Sequence, residues 1–188
     1  MNISNNKLDC FKYLNIDKKP LVYIKKSNKK NAGLGIFAKE EIKKNTPIII
    51  YYGEFLCNKK IFFEFTKNKE NYIKNIAPYL RTSGIIDQQI NGKKACDLDN
   101  INLKGYLVND YSSFDDKLSN RKIKNYIANQ HNNNVIIKET KDYPIYYSIR
   151  DIKKNEELYA NYGLPYWLLQ NNCKPENIRE ICKKYGII

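Results

Sequence analysis

The sequence has little material for a metal site or for disulfide bonds. It contains one histidine and five cysteines, and no two cysteines have Cys-x-x-Cys spacing. An odd number of cysteines without that spacing suits neither a zinc site nor a disulfide framework. We therefore predict no bound metal, and reduced thiols of the kind found in cytosolic or nuclear compartments.

Long hydrophobic runs are also missing. Residues 1–15 are polar and hold no apolar core of the kind that a secretion signal needs. No apolar run approaches the roughly 20 residues of a membrane-spanning helix. We expect a soluble, intracellular protein, nuclear or cytoplasmic, with no membrane partner.

Acidic residues are fewer than basic ones, with 20 Asp+Glu against 33 Lys+Arg and a formal net charge of +13. The basic residues form short pairs along the whole chain, a distribution that favours an ordinary solvated surface. The charge also leaves open nucleic acid or another acidic molecule as a partner. Hydrophobic residues make up 42% of the chain, enough for the core of one domain.

Short apolar and β-branched segments separated by polar turns predict a mainly β protein. The Asn91–Gly92 dipeptide predicts a hairpin within residues 84–98. Residues 58–75 predict an irregular amphipathic helix, residues 175–185 predict a second helix, and the polar segment 111–127 fits no single element. The absence of alternating strands and helices argues against a Rossmann-type fold. The predicted strands are 21–26, 33–38, 47–52, 134–139 and 144–149.

Two turns share the pattern Asp/Glu-Ile-Lys-Lys-Asn, one at residues 41–45 and the other at residues 151–155. Asparagine tolerates the left-handed backbone conformation that is usually given to glycine. We therefore predict that Asn45 and Asn155 both adopt it.

Several short motifs follow one another in a recognisable order. They are GLGIFA at 33–38, Tyr51-x-Gly53-Glu54, Asn109–Asp110, Asn133–Asn134, and a Glu-Glu-Leu segment that ends at Tyr162. This ordered set resembles the SET family of protein lysine methyltransferases, whose pattern runs GxGxFA, YxGE, Asn-His-Ser with a downstream Pro-Asn, and Gly-Glu-Glu-Leu-x-x-x-Tyr. The resemblance covers residues 21–167.

The resemblance implies a mainly β fold with short helices, in which small β-sheets surround a pseudoknot core and a helical tail follows. We expect an N-terminal extension at 1–20, a SET domain at 21–167 with a helical insert at 58–80, and a C-terminal helical tail at 168–188. The chain departs from the family pattern where Asp110 replaces the histidine of Asn-His-Ser. Cys173 and Cys182 are too few for the zinc-binding module that follows the domain in many members.

S-adenosylmethionine is the methyl donor that the resemblance implies. Glycines permit close approach of the backbone to such a cofactor, and an asparagine side chain can both donate and accept hydrogen bonds. Trp167 has two interpretations, as an aromatic cover for the adenine ring or as a core residue that anchors the C-terminal helix. The predicted cofactor contacts are Gly33, Leu34, Gly35, Phe37, Asn109, Asp110, Tyr162 and Trp167.

The catalytic residues implied by the resemblance are Tyr162 and Tyr51. A lysine amine is nucleophilic only when neutral, and a narrow apolar channel lowers its pKa. Tyr51, Tyr106 and Ala160 are predicted to line that channel. The small side chain of Ala160 leaves room for dimethylation or trimethylation, unless Tyr159 or Tyr106 fills the space.

The expected activity is methyl transfer to a lysine of a protein, either a histone or another substrate. The alternative is a catalytically weak SET-like scaffold that binds nucleic acid or an acidic protein through its basic surface. A homodimer formed through the terminal segments is a further alternative that the sequence leaves open.

Overall fold

The computed structural model describes residues 19–52, 54–57, 80–82, 88–91, 100–112, 118–140 and 143–187. For 54–57, 80–82 and 88–91 it describes the backbone alone. The predicted N-terminal extension lies outside the described residues up to residue 18. So does the predicted helical insert, except for its last residue, Leu80, which begins a strand.

The first sheet consists of two antiparallel strands that the sequence predicted to within one residue. Strand β1 (Val22–Lys26) pairs with β2 (Leu34–Ala38), and Val22 lies opposite Ala38. The turn between them closes where the Ser27 N–H donates to the Gly33 carbonyl at 2.9 Å. Gly33 has φ +70°, a left-handed conformation that glycine adopts without a steric penalty.

The second sheet contributes six buried residues to the larger apolar core. Its three antiparallel strands lie in the order β3 (Pro47–Ile50), β8 (Ile145–Ser148) and β7 (Val135–Lys138). Ile49, Ile50 and Ile145 are completely buried. The β-branched side chains of these strands favour extended backbone. They share one core cluster with Val22, Ile36 and Ala38 of the first sheet, and this burial stabilises the fold.

A third small sheet has the strand order β4 (Glu54–Cys57), β6 (Gln88–Asn91) and β5 (Leu80–Thr82), and all its pairs are antiparallel. Strand β6 ends at Asn91, the first residue of the predicted hairpin turn. The second half of that hairpin lies outside the described residues.

Three short helices form a second, smaller core. They are α1 (Asn120–Ala128), α2 (Leu164–Gln170) and α3 (Pro175–Lys184). The buried residues of this core are Ile123, Tyr126, Leu164, Leu168 and Cys182. Helix α3 confirms the predicted C-terminal helix, whereas α1 arises from the segment that fitted no single element. No helix in the described part of the chain has the length and apolarity needed to cross a membrane.

The segment 157–160 crosses the middle of the fold. Glu157 forms an antiparallel bridge with Phe37 of β2, and Tyr159 forms a parallel bridge with Asn109. On the other side, Asn134 and Val135 donate their backbone N–H groups to the Tyr159 carbonyl at 3.0 and 3.1 Å. This crossing between three distant segments, surrounded by small sheets and short helices, confirms the predicted fold class.

The two related turns pack against each other. Ile42 and Ile152, which occupy the same position in each turn, exchange backbone hydrogen bonds of 2.9 and 2.8 Å, and both are buried. Asn45 and Asn155 have φ values of 65° and 67°. The predicted left-handed conformation is therefore confirmed at both asparagines.

Candidate active site

Three consecutive residues hold the segment that ends at Tyr162, two through backbone carbonyls and the third through its side chain. The Tyr162 hydroxyl donates to the Val108 carbonyl at 2.6 Å, and the Ala160 N–H donates to the Asn109 carbonyl at 2.8 Å. The backbone N–H of Tyr162 donates to Oδ2 of Asp110 at 3.0 Å. Residues 108–110 therefore fix both the backbone and the ring of Tyr162.

The Tyr162 hydroxyl lies in a buried environment that keeps it neutral. Burial raises its pKa well above the ordinary value, and the neighbouring hydroxyls of Tyr146, Tyr166 and Tyr51 add to the shift. Since its hydrogen is directed at Val108, the hydroxyl presents its oxygen lone pairs to any other group. A neutral phenol cannot act as a general base, but it can orient an amine and stabilise charge through its dipole.

Tyr162 belongs to a cluster of three aromatic rings. Its ring stacks on Trp167 with centroids 6.0 Å apart and an interplanar angle of 11°. The ring of Tyr166 meets both at nearly right angles, with centroid distances of 4.9 and 5.1 Å. Such offset and edge-to-face arrangements restrict the rings beyond what their burial alone achieves.

Asp110 is buried beneath this cluster, with 4% of its surface exposed. Its Oδ2 accepts hydrogen bonds from Trp167 Nε1 and the Tyr126 hydroxyl, both at 2.9 Å, in addition to Tyr162 N. Burial raises the pKa of this carboxyl, and the donors oppose that shift. The side chain thus connects helices α1 and α2 to the tyrosine.

The Asn109 side chain contacts the Gly33-Leu34-Gly35 segment. Asn109 Nδ2 donates to the Leu34 carbonyl at 3.0 Å and to Glu157 Oε1 at 3.3 Å. A Cβ on Gly35 would overlap Glu157 Oε1 and lie 3.2 Å from Asn109 Nδ2. A Cβ on Gly33 would meet no other described atom within 4 Å. The two glycines therefore differ: one accommodates a carboxylate of this chain, and the other faces open space.

Glu157 is the centre of the hydrogen bonds around this glycine segment. It is 2% exposed, and its carboxylate also accepts bonds from the Ser27 hydroxyl at 2.6 Å and the Asn28 N–H at 2.8 Å. The Tyr159 hydroxyl donates to Oε2 at 2.6 Å. One buried side chain thus fixes the β1–β2 turn, the Asn109 side chain and the crossing segment.

The predicted channel residues lie together in the larger core. Tyr51 and Ala160 are 6% and 4% exposed, and Tyr106 is partly buried against the same cluster. Gly105 brings the Tyr106 backbone against β3, since a Cβ on Gly105 would lie 2.6 Å from the Ile50 carbonyl oxygen. Tyr51, Tyr106 and Ala160 thus belong to the same large core cluster, and that they line a common channel stays a prediction.

Phe37 and Trp167 are anchored by contacts within the chain. Phe37 is 1% exposed and stacks on Tyr23 with centroids 5.7 Å apart. Trp167 packs against the smaller core, and its Nε1 donates to Asp110. Core anchoring, one of the two interpretations of Trp167, is thus observed, and its contact with an adenine ring stays a prediction.

Sequence reasoning missed three side chains that organise the site: Glu157, Tyr126 and Asn134. Asn134 is fully buried; its Oδ1 accepts from Tyr159 N and its Nδ2 donates to the Glu157 carbonyl, both at 2.8 Å. The signal for Glu157 and Asn134 was their place within recognised motifs. Nothing in the polar segment around Tyr126 pointed to its role.

Metal ligands do not cluster in the described part of the chain. Among the residues that the structure describes, no group of three or more His, Cys, Asp or Glu side chains could hold a metal ion.

Comparisons with known proteins identify the architecture. A family model described as the SET domain matches residues 33–163. The polycomb repressive complex 2 of Chaetomium thermophilum matches with a TM-score of 0.51 and 22% identity, over 78% of this chain and 16% of that chain. An active polycomb repressive complex 2 in the stimulated state matches with a TM-score of 0.52 and 22% identity, over 79% of this chain and 16% of that chain. The chain thus spans less than a fifth of these longer chains, and at this identity the shared property is the fold. Among curated proteins, no sequence matches.

Proposed function

Since the chain belongs to the SET-domain family, as the match over residues 33–163 shows, we propose that it is a protein lysine methyltransferase. In this proposal it transfers methyl groups from S-adenosylmethionine, the cofactor of SET-domain methyltransferases, to a lysine side chain of a histone or another protein. The observation that carries the proposal is the fixed, neutral Tyr162. Its hydroxyl donates to Val108 while its backbone is held by Asp110.

The residues around Gly33 fit the amino-acid end of S-adenosylmethionine. Gly33 is exposed and faces space free of other described atoms, so the backbone can be approached closely. Within the described part of the chain, Asn109 Oδ1 accepts no hydrogen bond and can accept one from an ammonium group. Gly33, Leu34 and Asn109 would therefore hold the cofactor on this side, and Tyr162 and Trp167 would contact it on the other.

S-adenosylmethionine supplies an activated methyl group on a sulfonium sulfur. The chain's own contribution is to position the lysine amine and to remove water from it. Tyr51, Tyr106 and Ala160 form the apolar surroundings that favour the neutral, nucleophilic amine. The Tyr162 oxygen orients that amine. The raised pKa of Tyr162 keeps its hydroxyl protonated and neutral at a pH where the amine loses its proton.

The product of the reaction is, in this proposal, a dimethylated or trimethylated lysine. In this proposal the small side chain of Ala160 leaves room in the channel, and its backbone N–H is fixed by the bond to the Asn109 carbonyl. An Ala160→Phe variant should then accumulate monomethyl-lysine, as resolved by mass spectrometry of the product. Monomethyl-lysine as the sole product of the wild-type enzyme would contradict this part of the proposal.

The experiment on cofactor binding is thermal or denaturant unfolding with and without S-adenosylmethionine. A ligand at 100 times its dissociation constant stabilises the native state by about 2.7 kcal/mol. We expect Asn109→Ala to abolish most of that stabilisation, because it removes the proposed acceptor for the cofactor's ammonium group and the bond to the Leu34 carbonyl. Equal stability with and without millimolar cofactor would refute the enzymatic proposal.

The experiment on catalysis compares methyl transfer to histones and to other proteins by the wild type and Tyr162→Phe. Loss of one pre-organised polar group at the reacting atoms lowers kcat by roughly 100-fold. The matched control is Tyr185→Phe, which removes a hydroxyl bonded to Asn120 on the exposed surface of the helical core. A Tyr162→Phe variant that is as active as this control would remove Tyr162 from the mechanism.

A further inference from the structure

Asp110 stands where the family pattern has a histidine, and its side chain makes contacts that the motif alone does not predict. Three donors from three different segments converge on the single oxygen Oδ2. They are Tyr162 N at 3.0 Å, Trp167 Nε1 at 2.9 Å and the Tyr126 hydroxyl at 2.9 Å. The second oxygen, Oδ1, accepts a bond from Ser112 N at 3.1 Å.

These contacts fix Tyr162 through its backbone and through the neighbouring Trp167. The Asp110 carboxylate fixes the Tyr162 backbone, and it also fixes the indole that stacks on the Tyr162 ring. A neutral histidine at this position could accept only one such bond, because one ring nitrogen carries a hydrogen. A carboxylate oxygen accepts several, and bonds to a charged acceptor are stronger than neutral ones.

Helix α1 joins the same arrangement through Tyr126. The Tyr126 hydroxyl lies 2.9 Å from Asp110 Oδ2 and 2.8 Å from Asn161 Oδ1, and it accepts a bond from Gly163 N at 3.1 Å. Its one hydrogen is thus shared between two acceptors on either side of Tyr162. Residues 161–163 are held from both flanks by one phenol and one carboxylate.

We infer that Asp110 is a positioning residue of the active site, which sets the orientation of Tyr162 and Trp167 rather than binding the cofactor through its side chain. This inference rests on the proposed function, since it assigns Asp110 a part in methyl transfer. It predicts that loss of the carboxylate changes kcat, whereas loss of a cofactor ligand would change the KM for the cofactor.

The test uses Asp110→Ala and Asp110→Asn, with Asp151→Asn as the matched control at an exposed carboxylate. We expect Asp110→Ala to lower kcat about 100-fold, the effect of displacing a reacting group by about 1 Å. The KM for S-adenosylmethionine should rise by a smaller factor than kcat falls, because Asp110 acts on the cofactor only through Tyr162 and Trp167. Asp110→Asn retains one oxygen for the three donors, so its kcat should be partly restored, and Asp151→Asn should equal the wild type.

A second measurement does not depend on activity. Trp167 is the single tryptophan of the chain, so fluorescence excited at wavelengths that tyrosine does not absorb reports on it alone. Asp110→Ala opens a gap beside the indole N–H, and we expect its emission to move to longer wavelength and its quenching by acrylamide to increase. Asp110→Asn should show a smaller shift, and Tyr126→Phe, which removes one donor to the same oxygen, provides a variant with a milder effect on folding.

The outcomes separate this inference from the proposed function. Unchanged Trp167 emission in Asp110→Ala, or a raised KM with an unchanged kcat, would overturn the positioning role. If Asp110→Ala fails to fold by circular dichroism, the same readouts in Asp110→Asn and Tyr126→Phe decide. If Asp110→Ala shifts Trp167 emission but the wild type transfers no methyl group, the proposed function is refuted and the contacts of Asp110 still stand.

Discussion

Replacement of Glu157 by glutamine tests whether this buried carboxylate organises the glycine segment. Two of its donors are hydroxyls, of Ser27 and Tyr159, which can rotate and accept instead of donating. The other two, Asn28 N and Asn109 Nδ2, are amides that can only donate. Whichever carboxylate oxygen the glutamine NH2 group replaces, one of these two amide donors is left without an acceptor.

The less costly orientation can be worked out from the distances. An amide nitrogen at the Oε2 position would oppose Asn28 N, which donates at 2.8 Å, whereas at the Oε1 position it would oppose Asn109 Nδ2 at 3.3 Å. The second choice loses the longer bond, and Asn109 keeps its bond to the Leu34 carbonyl. We expect Glu157→Gln to lower the free energy of unfolding by about 1–2 kcal/mol, and Glu157→Ala by about 3–5 kcal/mol.

The assay is denaturant unfolding, in which a change in midpoint at constant slope reports the loss of stability. The matched control is Glu41→Gln, an exposed carboxylate in the first of the two related turns, which should change stability by less than about 0.5 kcal/mol. Cofactor-induced stabilisation should also fall in Glu157→Gln, because Asn109 loses one of its two contacts. A Glu157→Ala protein as stable as the control would refute the reasoning.

Two further predictions concern packing and pH. Gly105→Ala should lower the free energy of unfolding by about 3 kcal/mol, because its Cβ would lie 2.6 Å from a backbone oxygen of Ile50 that cannot move aside; denaturant unfolding within error of the wild type would contradict it. Burial raises the pKa of three tyrosines, so the folded state keeps protons that the unfolded state releases above about pH 10. Their stabilisation is complete below that pH and falls as pH rises, by up to about 1.4 kcal/mol per pH unit for each group. Unfolding measured at increasing alkaline pH should show this loss, and Tyr162→Phe should reduce its slope; an unchanged slope in that variant would count against the buried hydroxyl. The tyrosines are Tyr126, Tyr159 and Tyr162.

Local patterns in the sequence predicted the strands and turns because their causes are local. The segment predicted at 21–26 is observed at Val22–Lys26, and the one predicted at 144–149 at Ile145–Ser148. Short apolar, β-branched runs and the adjacent polar turns determine these strands. The conformation of Asn45 and Asn155 follows from the ability of asparagine to adopt positive φ, which needs no distant partner.

The interactions of the site could not be predicted in the same way, because they join distant parts of the chain. The partners of Glu157 lie 130, 129 and 48 residues from it, at Ser27, Asn28 and Asn109. Helix α1 has few apolar residues, and its burial depends on helices α2 and α3, which come later in the chain. Motif order predicts which residues share a site, but only tertiary packing determines what each side chain contacts.

Asp110 illustrates the limit of reasoning from a motif. The sequence assigned it to the cofactor because its neighbour Asn109 belongs to a binding motif. In the structure its carboxylate contacts Tyr126, Tyr162 and Trp167. A cofactor contact through its backbone stays a prediction that the variants described above can test.

The central crossing has a consequence for the order in which the protein folds. The hydroxyl of Tyr162 reaches Val108, 54 residues earlier, and Glu157 closes the turn that begins at Ser27, 130 residues earlier. Contacts of such long sequence separation slow folding, because a large loop must close before they form. During synthesis on the ribosome, the glycine segment and residues 108–110 therefore cannot form their contacts with Glu157 and Tyr162 until residues 157–162 emerge. The last part of the domain to be made thus completes the site, so a chain truncated before residue 157 should retain strands yet bind no cofactor.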